Sequence, residues 1–141
     1  MRRYLVVANQ TLGGDALLQR IREIISWGPC AFHLVVPATH GKDHLTYSEG
    51  EAWALAEQRL QEGITQFRLE GADVTGNVGD ASPMLAIADA IRDQSYDEVI
   101  LSTFPPSISR WMRLDLPRRV KRRYGLPVTH LITQPHVSGT H

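Results

Sequence analysis

The chain has 141 residues, no formal net charge and 43% hydrophobic residues, which is typical of one soluble globular domain. Its single cysteine, Cys30, excludes an internal disulfide framework, and no apolar run is long enough to span a membrane. The N-terminal apolar run is too short for a secretory signal, so we expect a cytoplasmic protein. We expect a single domain over residues 1–134 and a flexible tail over 135–141.

The first half of the chain predicts two strand–helix units. Arg3–Ala8 is a nearly continuous apolar run, as in strands buried on both faces, and apolar side chains at helical spacing follow it over Asp15–Ser26. Ala31–Val36 predicts the second strand, and Ala38–Ser48 is a polar loop. A long helix is predicted over Glu49–Glu70.

The second half continues the alternation. Asp73–Val78 predicts a third strand, and Ser82–Pro83 supplies a cap and a first helical residue for the next helix. A fourth strand over Asp97–Ser102, a helix over Asp115–Tyr124 and a fifth strand over Val128–Thr133 complete the pattern. The order predicts an α/β fold, a three-layer open sheet of five parallel strands with helices on both faces.

Ligands of open parallel sheets bind beyond the carboxyl ends of the strands. Asn9 and Thr11 follow the first strand, and Ser102 and Thr103 end the fourth. We therefore expect Asn9 and Thr11 to orient a ligand, and Ser102 and Thr103 to form the floor of its binding site. For Asn9 the alternative is that its side chain only stabilises the turn.

The segment after the fourth strand carries hydroxyls and arginines but no glycine. Pro105 and Pro106 remove two backbone donors and stiffen the chain, which disfavours a backbone cradle for phosphate. Side chains are the possible substitutes, since serine hydroxyls and guanidinium groups bind anions. The candidates are Ser107, Ser109, Arg110 and Arg113. The alternative is that the arginines are solvated or pair with acidic residues.

Basic residues are concentrated in residues 110–123, which hold seven basic residues and one acidic residue. Local positive charge attracts nucleic acid, but only Trp111 and Tyr124 flank the run and no base-reading motif is present. Cations at the end of a helix also complement its dipole. Nucleic acid is therefore not the partner we expect, although docking of a protein or nucleic acid through this helix stays open.

Catalytic and metal-binding patterns are weak. His40 and His44 have the spacing of two ligands on one helical face, but Gly41 lies between them and the segment reads as a loop, so we assign no metal. His130 alternates within the fifth strand and is expected to be packed or at a dimer contact. Cys30 is expected to be a buried, inert thiol. No nucleophile–base pair stands out, so we assign no catalytic residue.

Three segments together resemble the universal stress protein family, which belongs to the adenine-nucleotide α-hydrolase-like folds. They are Gly79–Ile87, with a Gly-x-Pro-type turn and a helix; Tyr96–Ser102, with a D-x-V-I strand; and Leu126–Val128, with a P-V strand. The resemblance covers nearly the whole chain. It implies a strand order of 3-2-1-4-5, a homodimer formed through the fifth strand, and a stress-linked regulatory or binding function.

The resemblance also implies a place for an adenine nucleotide. Adenine would lie near Val36 and Pro37, although Val36 also fits a simple core role, and Gly79 would permit close approach or only form a turn. ATP-binding relatives have a glycine-rich motif after the fourth strand. The corresponding Phe104–Pro117 contains no glycine, so we assign no cofactor, and ATP or another adenine nucleotide remains a candidate.

Three functions follow. The first is a universal stress protein-like regulatory module that binds a nucleotide or other anion above the first and fourth strands, without catalysis. The second is an enzyme of the same fold group that hydrolyses ATP or attacks its α-phosphate. That group typically has a glycine-rich segment after its first strand, which Thr11-Leu12-Gly13-Gly14-Asp15 resembles only weakly. The third is a dimeric module without a ligand that docks a partner through its basic C-terminal helix.

Overall fold

A computed structural model describes residues 1–38, 49–105 and 109–134, without the side chains of Glu49, Arg110 and Arg113. Five strands are present within these ranges: β1 Arg2–Val7, β2 Cys30–Pro37, β3 Val74–Gly79, β4 Glu98–Thr103 and β5 Val128–Ile132. The helices are α1 Asp15–Ser26, α2 Glu49–Leu69, α3 Pro83–Asp93, α4 Arg110–Arg113 and α5 Leu116–Tyr124. The predicted tail, 135–141, and the loop over 39–48 lie outside the described residues.

The strands form one parallel sheet in the order β3-β2-β1-β4-β5, which confirms the predicted fold and strand order. The predicted bounds of α1 are also those of the structure. The short helix α4 was not predicted, because four residues are too few to show a helical period.

Two apolar cores cover the two faces of the sheet. Alternate residues of β1, such as Tyr4 and Val6, pack with α1 and α2 on one face. The intervening residues, Leu5 and Val7, pack with α3 and α5 on the other. Both sets are buried because every central strand has a helix layer on each side.

Helix α3 begins as its sequence predicts. The Ser82 hydroxyl accepts a hydrogen bond from the Leu85 amide at 3.4 Å, and Pro83 occupies the first turn. The β3–α3 turn is thereby fixed. Because all five strands run in one direction, the residues that follow β1, β2 and β4 come together at a single edge, the carboxyl edge.

Candidate functional site at the carboxyl edge

Buried polar residues are confined to one edge of the sheet in the described part of the chain. They are Asn9, Thr11, Ser102, Thr103 and Ser109. All five follow or end β1 and β4, the two central strands at which the strand order changes direction. Burial of a polar side chain costs free energy unless the side chain forms hydrogen bonds. We therefore look for the hydrogen-bond partners of this cluster.

Thr11 and Ser102 join the ends of β1 and β4. The Thr11 hydroxyl donates to the Ser102 carbonyl at 3.0 Å, and the Ser102 hydroxyl donates to Thr11 Oγ1 at 2.7 Å. Ser102 is 1% exposed. These two hydrogen bonds join the turn after β1 to the end of β4.

Asn9 links β1 to β2 and to helix α2. Its Nδ2 donates to the Pro37 carbonyl at 2.7 Å, and its Oδ1 accepts a hydrogen bond from the Arg59 guanidinium. Asn9 thus stabilises the chain around it through contacts with residues 28 and 50 positions away in the sequence.

Arg59 is the residue of this edge that the sequence did not reveal. It lies on α2 between the buried residues Ala56 and Gly63, at helical spacing from both, and is itself only partly exposed. The sequence signal that could have identified it is an arginine at a position on the apolar face of the predicted helix. It brings a positive charge to the ends of β1 and β2.

Thr103 and His130 form a second link, between β4 and β5. Thr103 Oγ1 donates to the Phe104 carbonyl at 2.8 Å and lies 2.8 Å from His130 Nε2. Which of the two groups donates in the second contact is set by the tautomer of His130. Partial burial lowers the pKa of His130, which favours the neutral imidazole. His130 is therefore packed into the β4–β5 pair.

The segment after β4 is only partly described. The Ser109 hydroxyl accepts a hydrogen bond from the Met112 amide at 3.2 Å and so caps α4. Ser107 lies outside the described residues. Arg110 and Arg113 belong to α4, but nothing is described of their side chains.

Val36, Pro37 and Gly79 occupy the ends of β2 and β3. Val36 is fully buried in the core on the α1–α2 side, whereas the Pro37 carbonyl is held by Asn9. A Cβ at Gly79 would lie 2.8 Å from Ala86 Cβ and 3.0 Å from Val35 Cγ1. The absence of a side chain at Gly79 therefore permits α3 to pack closely on the sheet.

Other features lie elsewhere or outside the described residues. An open depression of about 250 Å³ lies at the opposite edge, between Arg2, Trp27 and Cys30. Burial raises the pKa of the Cys30 thiol, which opposes thiolate formation. The described residues contain no group of three or more metal-ligating side chains, and the pair His40 and His44 lies outside them. No described helix is long and apolar enough to cross a membrane.

No protein-family model matches the sequence, and no curated protein does. Solved structures are similar in fold. A universal stress protein in complex with cAMP matches with a TM-score of 0.63 and 16% identity over 94% of this chain and 97% of its own. The universal stress protein from Archaeoglobus fulgidus in complex with dAMP matches with a TM-score of 0.61 and 15% identity over 92% and 96%.

A universal stress protein family member from Burkholderia pseudomallei matches with a TM-score of 0.61 and 12% identity over 92% of this chain and 94% of its own. Together these similarities show that the chain has the universal stress protein fold.

Proposed function

We propose that this protein is a regulatory binding module that takes an adenine mononucleotide in the crevice above β1 and β4. The observation that carries the proposal is the buried polar cluster, since all the buried polar side chains of the described residues lie at the edge where parallel sheets bind ligands. Two similar structures, one with cAMP and one with dAMP, support the ligand class.

Each side chain of the cluster has a role in this proposal. Asn9 and Thr11 orient the ribose, while Ser102 and Thr103 form the floor. The Ser102 hydroxyl donates to Thr11 and keeps its lone pairs as acceptors for a ribose hydroxyl. The base lies beside the end of β2, where Pro37 follows the buried Val36.

The segment that follows β4 favours one phosphate over three. Arg59 brings a guanidinium to the ends of β1 and β2, and Ser109, Arg110 and Arg113 follow β4. The chain from Phe104 to Pro117 has no glycine with which to wrap a triphosphate in backbone amides. We therefore propose that AMP and cAMP bind more tightly than ATP, and that no catalytic step follows.

Calorimetric titration with cAMP, AMP, ATP and inorganic phosphate tests the proposal. We expect saturable binding of the two mononucleotides, weaker binding of ATP and none of phosphate. Ser102→Ala removes a hydroxyl from the floor and should weaken binding about tenfold, while Thr75→Ala, at an exposed position on β3, should not. Absence of binding at millimolar nucleotide, or turnover of ATP, would overturn it.

We further propose a homodimer formed through β5, over Val128–Thr133. Three features support it. β5 is an edge of the sheet, its residues are only partly buried, and Ile132 exposes 44% of its surface. A strand edge that none of the described residues covers pairs readily with another chain.

A further inference from the structure

Helix α5 carries a dense positive surface, the α5 ridge, which we define as Arg118, Arg119, Lys121, Arg122 and Arg123. All five side chains are exposed. The helix contains no acidic residue, and its Leu116 and Val120 are fully buried against the sheet. The charges are therefore a separate outer face of a helix whose apolar face is already used.

Few of these cations have partners in the described residues. Arg118 lies 3.6 Å from Asp115, and both side chains are exposed, so this pair is weak. Arg123 lies over the ring of Tyr124 at 5.5 Å. Arg119, Lys121 and Arg122 make no ion pair with any described residue.

Stability does not account for the ridge. Cations in the last turn of a helix complement its dipole, but two of the basic residues lie earlier in the helix. Arg118 and Arg122, like Arg119 and Arg123, are four residues apart, a spacing at which like charges repel on a helix. Like-charge repulsion therefore costs stability at this surface, where Asp115 is the one carboxylate that pairs with a ridge residue among the described residues.

We propose that the α5 ridge binds the phosphate backbone of nucleic acid without reading its sequence. Nine helical residues rise about 13 Å, and five cations over that length approach the charge density of a duplex, with one phosphate charge per roughly 1.7 Å. Four of the five are arginines, which bind phosphate in pairs of hydrogen bonds.

The same geometry disfavours insertion of α5 into a membrane surface. A helix that lies in a bilayer interface must present an apolar face to the lipid, and the apolar face of α5 is buried in the protein core.

The ridge is also separate from the proposed nucleotide crevice. α5 joins two parallel neighbouring strands, so it runs back from the carboxyl edge, and its last turn lies towards the amino edge.

Fluorescence anisotropy with two labelled 20-base-pair DNA duplexes of unrelated sequence and one single-stranded RNA tests this proposal. We expect binding in 50 mM salt, with equal affinity for the two duplexes. The logarithm of the duplex affinity should fall with the logarithm of the salt concentration with a slope of about −3, as for three to four phosphate contacts.

The matched variants are Arg119→Gln/Arg122→Gln on the ridge and Arg20→Gln/Arg68→Gln on α1 and α2, across the sheet. Both remove two positive charges, so a general charge effect would weaken binding equally. We expect at least a tenfold loss, and a salt slope reduced by about two, for the ridge variant only. Circular dichroism verifies that both variants are folded.

The proposal would be overturned by no binding at low salt, by an equal loss in the two variants, or by binding of phosphatidylserine vesicles in preference to the nucleic acids. A change in the oligomeric state of the ridge variant without loss of nucleic-acid binding would also overturn it, because the ridge would then be a contact between copies. Nucleotide binding by the ridge variant is measured separately and has no bearing on this result.

Discussion

Thr11 and Ser102, which are 91 residues apart, form two hydrogen bonds with each other. The Thr11 hydroxyl donates to the Ser102 carbonyl, and the Ser102 hydroxyl donates to Thr11 Oγ1. This exchange fixes the turn after β1 to the end of β4. In the proposed function, a floor held in this way lowers the entropic cost of ligand binding.

The two hydroxyls are not equivalent. Thr11→Val should cost about 1–3 kcal/mol of unfolding free energy, because it leaves both the Ser102 carbonyl and the Ser102 hydroxyl without their partner in a buried site. Ser102→Ala should cost less, about 0.5–1.5 kcal/mol, because Thr11 still donates to the carbonyl of residue 102. Urea denaturation measures both. The reverse order would contradict this reading of the donors.

The side chain of Asn9 should contribute more to the unfolding free energy than that of its neighbour Gln10. Asn9→Ala removes the donor to the Pro37 carbonyl and the acceptor for Arg59, and should cost about 1–3 kcal/mol of unfolding free energy. Gln10→Ala is the control, since Gln10 is exposed, and it should change stability by less than about 0.5 kcal/mol. Chemical denaturation of both variants should show the difference; equal midpoints would argue against the cross-link.

His130 should make stability depend on pH in one direction. Its pKa in the folded protein is lowered by burial, so the unfolded chain binds the proton more readily. The resulting stability is fully present above the ordinary histidine pKa of about 6.5 and is lost as the pH falls through the lowered pKa of the folded state.

Unfolding free energies at pH 8.5, 7.5 and 5 measure this dependence. Between pH 7.5 and 5, His130→Gln should lose less stability than the unmodified protein. Between pH 8.5 and 7.5 the difference in stability between the two proteins should change little, because His130 is neutral throughout that range. An identical acid loss in the two proteins would show that His130 does not contribute.

Gly79 should be intolerant of alanine for reasons of packing. The added Cβ of Gly79→Ala would lie 2.8 Å from Ala86 Cβ, which must move, so we expect a loss of about 1–3 kcal/mol. At Gly13 the nearest atom to an added Cβ is Gln66 Oε1, at 3.6 Å, an ordinary contact, so Gly13→Ala is the control and should be neutral or slightly stabilising. Thermal unfolding of the two variants shows whether Gly79 is required for the packing of α3 on the sheet or only for the turn.

The proposed dimer should be sensitive to one exposed residue of β5. Ile132→Lys places a charge on the strand edge and should shift the protein to a monomer in sedimentation experiments, with little effect on folding because Ile132 is already 44% exposed. Leu85→Lys, on α3, is the control, since Leu85 is 55% exposed and lies away from β5. A monomeric unmodified protein, or no response to Ile132→Lys, would contradict a dimer through this strand.

Local patterns in the sequence were sufficient for most of the fold. The apolar run near Leu5 and the helical spacing over Asp15–Ser26 depend on residues close together in the chain, as does the cap at Ser82. Alternation of strands and helices then leaves few topologies for a parallel sheet. The polar residues Asn9 and Ser102 were also identifiable, because they directly follow or end apolar runs.

The contacts that define the site were decided only by the tertiary structure. Arg59 and Asn9 lie 50 residues apart, and nothing local to either indicates that they meet. The sequence likewise left open whether the cations of α5 are neutralised by acidic residues, which depends on what neighbouring elements place beside them. Periodicity reports which face of an element is buried, but a hydrogen bond or an ion pair requires two side chains at one point in space, and that position is set by the packing of the whole chain.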